Sequence, residues 1–321
     1  MSSHSLEEGS SQGSSRPLSS AWSRGKLILL GEHSVVYGQP AIGIALQRGL
    51  ELQLYPGERS SISFRDPRGD WAALGEGERL LNTACRFLEW SPPHPLRARI
   101  SGPLPIGAGL GGSAAMAVAL LRALAPLAGY TLSESQLLRG AAVLEGISHG
   151  RASGIDHTIS VLGGALRFQR DGDEARWRRL KVQNCPKVVI SWVSRRGSTR
   201  EVVNALREKH SERPQRYDAL FKRMGSLTDE AEEALLRGDW GMLGLLLDES
   251  HAHLIECGVS DPRLEEGVAL MRDAGAMGAK LSGAGWGGAF FGLVHHESDA
   301  VERALQQAGL PCWSPRLELS Y

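Results

Sequence analysis

Two glycine-rich segments, a lysine and two acids could do chemistry together. The first segment is Pro105-Ile106-Gly107-Ala108-Gly109-Leu110-Gly111-Gly112-Ser113-Ala114. Glycines let several backbone N–H groups converge on one anion with no Cβ in the way. An Ala/Leu-rich helical stretch over 114–127 follows, and its N-terminal dipole and free N–H groups add to that attraction. Ser113 stands at the helix entry, where its hydroxyl can cap the helix or reach a bound Mg2+. The segment lacks the GxxxxGK[ST] pattern, so it is no P-loop NTPase site. Gly107, Gly109 and Gly112 fit GxGxxG, but a dinucleotide site needs a strand ending in an acid about 20 residues further on. Another helix starts near residue 134 instead, opened by the capping box Ser133-x-x-Gln136. From the residues alone, a phosphate cradle and a plain strand–helix turn both stand. The second segment, Gly283-Ala284-Gly285-Trp286-Gly287-Gly288, runs into the apolar strand 289–294. It reads as a glycine hairpin or as a loop laid against the first segment.

Glu145 shares a helical face with Leu137 and Ala141, each four residues apart. A carboxylate on an apolar stripe needs a partner or a cation, and hard oxygen donors suit Mg2+. Asp156 precedes a short apolar helix over 157–162, where it is an N-cap or a functional acid. Lys26 opens an apolar run that ends at Gly31, and Glu32 and His33 follow it as turn residues. Ser198-x-x-Glu201 is a second capping box. It puts Arg196 and Thr199 at a helix N-terminus, a place suited to a carboxylate. His251, His253 and Cys257 do not read as a metal site, because residues two apart on a helix do not face each other.

The elements that must position these residues belong to an ordinary globular chain of 321 residues, 42% apolar and 22% charged. Lys+Arg 36 balance Asp+Glu 36, which leaves no electrostatic footprint for nucleic acid or anionic membrane. An uncharged apolar run of about 18 residues, the mark of a membrane span, is absent from the sequence. The four cysteines have no CxxC spacing, which argues against a zinc ribbon or a disulfide framework and fits a reducing cytoplasm. Residues 1–20 hold nine serines and almost no apolar side chain, so a disordered tail is expected there. Strands are expected at 26–30, 41–46, 50–54, 96–100 and 165–169, and helices at 79–88, 114–127 and 134–148. Residues 67–77 read as a loop and 171–179 as a charged turn, with a domain boundary between 170 and 185. The second half offers a strand at 188–193, helices at 199–210, 215–237 and 239–256, strands at 279–282 and 289–294, a helix at 298–308 and a last strand. The pattern is α+β in two domains, 21–180 and 181–321.

Three of these stretches, in this order, resemble the motifs of the galactokinase, homoserine kinase, mevalonate kinase and phosphomevalonate kinase (GHMP) superfamily. They are Lys26 to Gly38 with Gly31-Glu32-His33-Ser34-Val35-Val36-Tyr37-Gly38, the segment from Pro105 to Ala115, and Lys280-Leu281-Ser282-Gly283-Ala284-Gly285-Trp286-Gly287-Gly288. His149-Gly150-Arg151-Ala152-Ser153-Gly154-Ile155-Asp156 and Gly258-Val259-Ser260-Asp261-Pro262-Arg263-Leu264 are similar to the mevalonate kinase branch. Gly112 stands where a serine is common, and Trp286 where a glycine is common. The resemblance covers residues 24–294. It implies an N-terminal domain like ribosomal protein S5 domain 2, a ferredoxin-like C-terminal domain and a nucleotide in the cleft between them. It implies ATP and Mg2+, and phosphorylation of the primary hydroxyl of mevalonate in isoprenoid synthesis. Phosphomevalonate or homoserine as acceptor, and a non-catalytic sensor on the same fold, are the alternatives. Asp156 resembles the catalytic base, with Lys26 beside the acceptor oxygen. Ser113 and Glu145 match the Mg2+ ligands. Pro105, Gly107, Ala108, Gly109, Leu110, Gly111, Gly112, Ser113, Ala114, Gly283 and Gly285 would hold the nucleotide. Glu32, His33, Ser153, Arg196 and Thr199 would hold the acceptor. The expected partner is a small molecule in the cytoplasm, with neither nucleic acid nor membrane; a homodimer stays open.

Overall fold

A computed structural model describes residues 16–65, 69–149, 153–172 and 174–319. The first sheet starts with β1 (Ser19–Leu30) and β2 (Ala41–Pro56), then β3 (Ser61–Arg65) and β4 (Trp71–Ala73). After α1 (Gly77–Phe87) come β5 (Leu96–Ser101), α2 (Gly112–Leu127), α3 (Glu134–His149) and α4 (Ile155–Leu162), closed by β6 (Ala165–Asp171) and β7 (Glu174–Leu180). The second half holds β8 (Lys187–Val193), α5 (Thr199–Glu212), α6 (Pro214–Arg237), α7 (Trp240–Cys257), α8 (Pro262–Asp273), β9 (Gly278–Leu281), β10 (Gly288–Val294), α9 (Ala300–Gln307), β11 (Cys312–Trp313) and β12 (Leu317–Glu318). The α+β reading holds.

The spine of the first sheet is β2. It pairs antiparallel with β1 along most of its length, with β6 at 41–44 and with β5 at 51–56. Leu27, Ile42, Ile44, Leu46 and Leu52 on these strands are all but sealed from water. The helix α2 lies on this sheet with an almost wholly apolar surface, and Ala115, Val118, Leu121 and Leu124 are buried. An Ala-rich helix packs close to a sheet because its small side chains leave the backbone near the strands. The second sheet runs β11-β8-β10-β9, and Phe290 and Phe291 of β10 fill its two faces. One apolar cluster continues from the first sheet to Ile190, Leu227, Leu247 and Phe291 of the second half. The two halves therefore share packing.

Several expectations change, among them the loop read at 67–77, which holds β4. The Ser-rich stretch of 1–20 was too long: Ser19 and Ser20 already pair with Leu54 and Gln53 of β2, while 1–15 lie outside the described residues. The two strands expected at 41–46 and 50–54 form one strand with a register shift on its partner. Most of the stretch 171–179, read as a charged turn, forms β7 (174–180), an edge strand whose side chains are exposed except for Leu180. Strand β12 returns to the first sheet and pairs with Ala45 and Leu46 of β2.

Candidate active site

The two glycine segments meet backbone to backbone. A Cβ on Gly109 would lie 3.2 Å from the Ser282 carbonyl oxygen, and one on Gly283 would lie 3.1 Å from that of Gly109. The Ala289 N–H donates to the Ala108 carbonyl at 2.6 Å. A Cβ at either glycine would force the facing backbone to give way, and both glycines also hold positive φ, +91° and +92°. Both readings of the second segment are thus correct: it joins β9 to β10, and it lies on the first. Ser282 ties it to β1 by accepting from the Ile28 N–H (3.2 Å) and donating to the Ile28 carbonyl (3.3 Å).

Gly111, at φ +76°, is the N-cap of α2, so Ser113 sits inside the first turn and does not cap. Its hydroxyl is left for another partner. In the same way Gly154, at φ +97°, caps α4, and Asp156 is the second residue of that helix. The N-cap readings of Ser113 and Asp156 are therefore set aside. The Asp156 carboxylate lies 3.0 Å from the Lys26 ammonium, which also donates to the Gly109 carbonyl at 3.1 Å. Lys26 is 2% exposed, held deep in β1 by strand pairing.

Two cavities meet at this pair. One, of about 390 Å³, is lined by Glu32, His33, Glu145, Ser153 and the α5 face carrying Thr199 and Arg207. The other, of about 370 Å³, is lined by the glycine loop, Ser113 and an apolar end of Leu50, Phe64, Leu74 and Ile100. Lys26, Asp156 and Thr199 line both.

The buried charges around the first cavity are paired. The Lys280 ammonium donates to Glu32 Oε1 at 2.5 Å and to the Leu281 carbonyl at 2.6 Å. Burial raises the Glu32 carboxyl pKa and lowers that of Lys280, and each charge opposes the other's shift. Glu32 Oε2 is buried with no protein partner, so it is available to a bound hydroxyl. His33 has φ +62°, a strained value for a side-chain-bearing residue. Its Nε2 lies 3.0 Å from the Ala284 carbonyl, so Nε2 carries the proton. Burial holds its pKa down at about 4, so the ring is neutral at pH 7. Glu145 is buried and accepts from His157 Nδ1 at 2.5 Å, a partner that sequence reasoning missed.

One expected acceptor contact lies outside both cavities. Arg196 does not line either cavity; its side chain is 57% exposed, 3.6 Å from Asp261, over the ring of Trp286. Its neighbour Arg195 lines the second cavity, beside Lys26, and donates to Thr199 Oγ1 at 3.2 Å and to the Gly285 carbonyl at 3.5 Å. Adjacent residues in extended backbone point to opposite sides, so an Arg-Arg pair at a strand end does not say which one faces in. The capping box at Ser198 forms as expected. His251 Nδ1 accepts from the Leu281 N–H at 3.5 Å, and His253 Nε2 lies 3.6 Å from Glu249.

This geometry has counterparts. Residues 78–164 match the model of the GHMP kinases N terminal domain, and residues 231–310 that of the GHMP kinases C terminal domain. The mevalonate kinase of Thermococcus sibiricus is 33% identical over 309 residues, covering 88% of this chain and 91% of its own. The chain belongs to the GHMP kinases. The mevalonate kinase of Pyrococcus furiosus is 31% identical over 310 residues, with the same coverage. The crystal structure of L. major mevalonate kinase in complex with R-mevalonate superposes with a TM-score of 0.81 at 28% identity, over 95% of this kinase and 99% of that chain. Among the described residues of this kinase no helix is long and apolar enough to cross a membrane.

Proposed function

We infer that this kinase transfers the γ-phosphoryl group of ATP to the primary hydroxyl of mevalonate, giving 5-phosphomevalonate. The observation that carries the reading is the Lys26–Asp156 pair on the wall common to both cavities. A phosphoryl acceptor and donor held in the two spaces would react at that wall. The family and the mevalonate kinase relatives support the acceptor.

The apolar end at Leu50, Phe64 and Ile100 suits a purine face, and the glycine loop with the α2 N-terminus suits the phosphates. Arg195 adds a fixed positive charge beside them. In the other cavity the α5 N-terminus, Thr199 and Arg207 suit the mevalonate carboxylate. Asp156 accepts the hydroxyl proton as the new O–P bond forms and the bond to the ADP oxygen breaks. Lys26 stabilises charge on the same oxygen. Neutral His33 and the free oxygen of Glu32 orient the acceptor. The transition state of phosphoryl transfer is loose, so most of the acceleration comes from positioning and electrostatics.

Ser113, on the wall of the nucleotide cavity, and Glu145, on the wall of the acceptor cavity and bonded to His157, are the residues that would hold Mg2+. A hydroxyl and a carboxylate are hard oxygen donors, and Mg2+ in such sites takes its other ligands from phosphate and water. When bound, the ion neutralises charge on the phosphates being separated. The test is a coupled ADP-release assay across mevalonate, phosphomevalonate, homoserine and galactose. Turnover confined to mevalonate is expected. Preference for another acceptor, or ATP binding without turnover of any, would overturn the reading.

A further inference from the structure

Trp286 adopts φ +51°, in the left-handed region where side chains other than Asn and Asp are rare. Strain of this kind persists only where the surroundings over-determine it. Here they do so from three sides. The backbone N–H donates to the Val259 carbonyl (2.8 Å) and the indole N–H to the Gly258 carbonyl (3.0 Å), which fastens the residue to the corner between α7 and α8. The Trp286 carbonyl accepts from the Arg196 N–H at 2.8 Å. The ring lies against Gly197, where a Cβ would approach it to 3.3 Å, and under the Arg196 guanidinium at 5.7 Å. Trp286 thus bolts the turn leading into α5 to a rigid helical corner.

The residue that this turn carries into the phosphate cavity is Arg195. Its guanidinium reaches Thr199 and Gly285, one residue from Trp286, and its buried Nε has no protein partner. The neighbouring glycines press on the same backbone: a Cβ on Gly287 would strike the Ser194 carbonyl oxygen at 2.3 Å. Any movement of Trp286 therefore moves the backbone that aims Arg195.

We propose that Trp286 is a positioning residue for phosphoryl transfer, which holds Arg195 aimed at the nucleotide phosphates. The proposal rests on the reading of the second cavity as the nucleotide site. A merely structural tryptophan would lower stability without touching what Arg195 does. A positioning one couples to Arg195.

The test is a double-mutant cycle of Trp286→Gly and Arg195→Met in the full-length chain. Glycine tolerates the left-handed backbone, so the substitution removes the ring without adding backbone strain. Binding of the β,γ-imido analogue of ATP with Mg2+, measured calorimetrically without acceptor, and kcat with mevalonate are read for all four proteins. Each single variant is expected to lose about tenfold in nucleotide affinity or kcat, with the KM for mevalonate changed less than twofold. The double variant is expected to lose scarcely more than either single one. Trp286→Phe, which keeps the ring against Gly197 and loses only the indole N–H, should recover most of the loss. Losses that multiply in the double variant, or a Trp286→Gly enzyme with normal affinity and kcat, would overturn the proposal. Wild-type protein that fails to bind the analogue would instead overturn the nucleotide site itself.

Discussion

Replacing Asp156 by asparagine keeps the side chain's shape and removes one charge, which makes it the sharpest probe of the site. Two effects of different size are expected. The carboxylate lies 3.0 Å from the Lys26 ammonium. Coulomb attraction at such a distance is roughly 1 kcal/mol in water and about 5 kcal/mol at an effective dielectric near 20. Asp156 is a third exposed, so the lower part of that range applies, and Lys26 keeps its bond to Gly109. Stability should therefore fall by about 1–2 kcal/mol, a shift of a few degrees in Tm. The chemical step should suffer more. An aliphatic alcohol is far too weak an acid to ionise at pH 7, and a positioned base contributes about 10²–10⁴-fold, or roughly 3–5 kcal/mol of barrier. Steady-state and single-turnover ADP release at saturating ATP and mevalonate, together with nucleotide binding, separate the two. The expected result is kcat lower by about a hundredfold or more, with ATP affinity preserved. Lys26→Met should also lower kcat, and the double variant should lose much less than the product of the two, since the pair acts as one unit. A drop below about tenfold would make Asp156 a positioning group in a loose transition state. Normal kcat in Asp156→Asn would refute its role altogether.

Ser113→Ala and Glu145→Gln should each raise the Mg2+ concentration needed for half-maximal rate, by about tenfold, with little change in acceptor KM; unchanged Mg2+ titrations would remove both from the metal site. Gly111→Ala should cut kcat by about tenfold or more, because the new Cβ would lie 2.6 Å from Lys26 Cγ at a backbone of φ +76°; kinetics like the wild type would show that Lys26 has room to move. His33 is held at a pKa of about 4 by burial, below its ordinary value near 6.5, so the unfolded chain binds the proton more readily. Its stabilising contribution is complete above about pH 6.5 and is lost as pH falls towards 4, on the order of 3 kcal/mol in all. Urea unfolding across that range should therefore be less steeply pH-dependent in His33→Gln, and equal slopes would contradict the burial.

Local patterns were legible wherever backbone conformation alone decides. The capping boxes at Ser133 and Ser198 form as their spacing predicts, and the glycine segments read as close backbone approach because no other residue permits it. Pairing across the fold was less legible. Lys280 lies in the third motif, where nothing in the spacing marks its partner Glu32, 248 positions away. His157 could have been suspected only from a polar residue following Asp156 on an apolar helix. Arg195 and Arg196 are indistinguishable by spacing. The helix α8 was overlooked although Asp261-Pro262 is a start signal, with Asp261 accepting from Leu264 N–H as N-cap. The strand β7 was mistaken for a turn because an edge strand bathed on both faces carries no alternation to read.

The strand β12 has a bearing on biosynthesis. Along β2, Ala45 pairs on one edge with Lys26 and on the other with Glu318, and Glu318 also bonds Arg24 at 2.5 Å. The edge of β2 opposite Lys26 is therefore shared between Gly164, whose carbonyl accepts from the Ala45 N–H at 2.9 Å, and β12 with Arg316, whose carbonyl accepts from the Gln47 N–H at 2.9 Å, a segment that leaves the ribosome long after β1 and β2 have met. During synthesis that edge of β2 has open N–H and C=O groups, a template for wrong strand pairing. A nascent chain stalled before residue 317 would expose this edge and be a natural target for a chaperone.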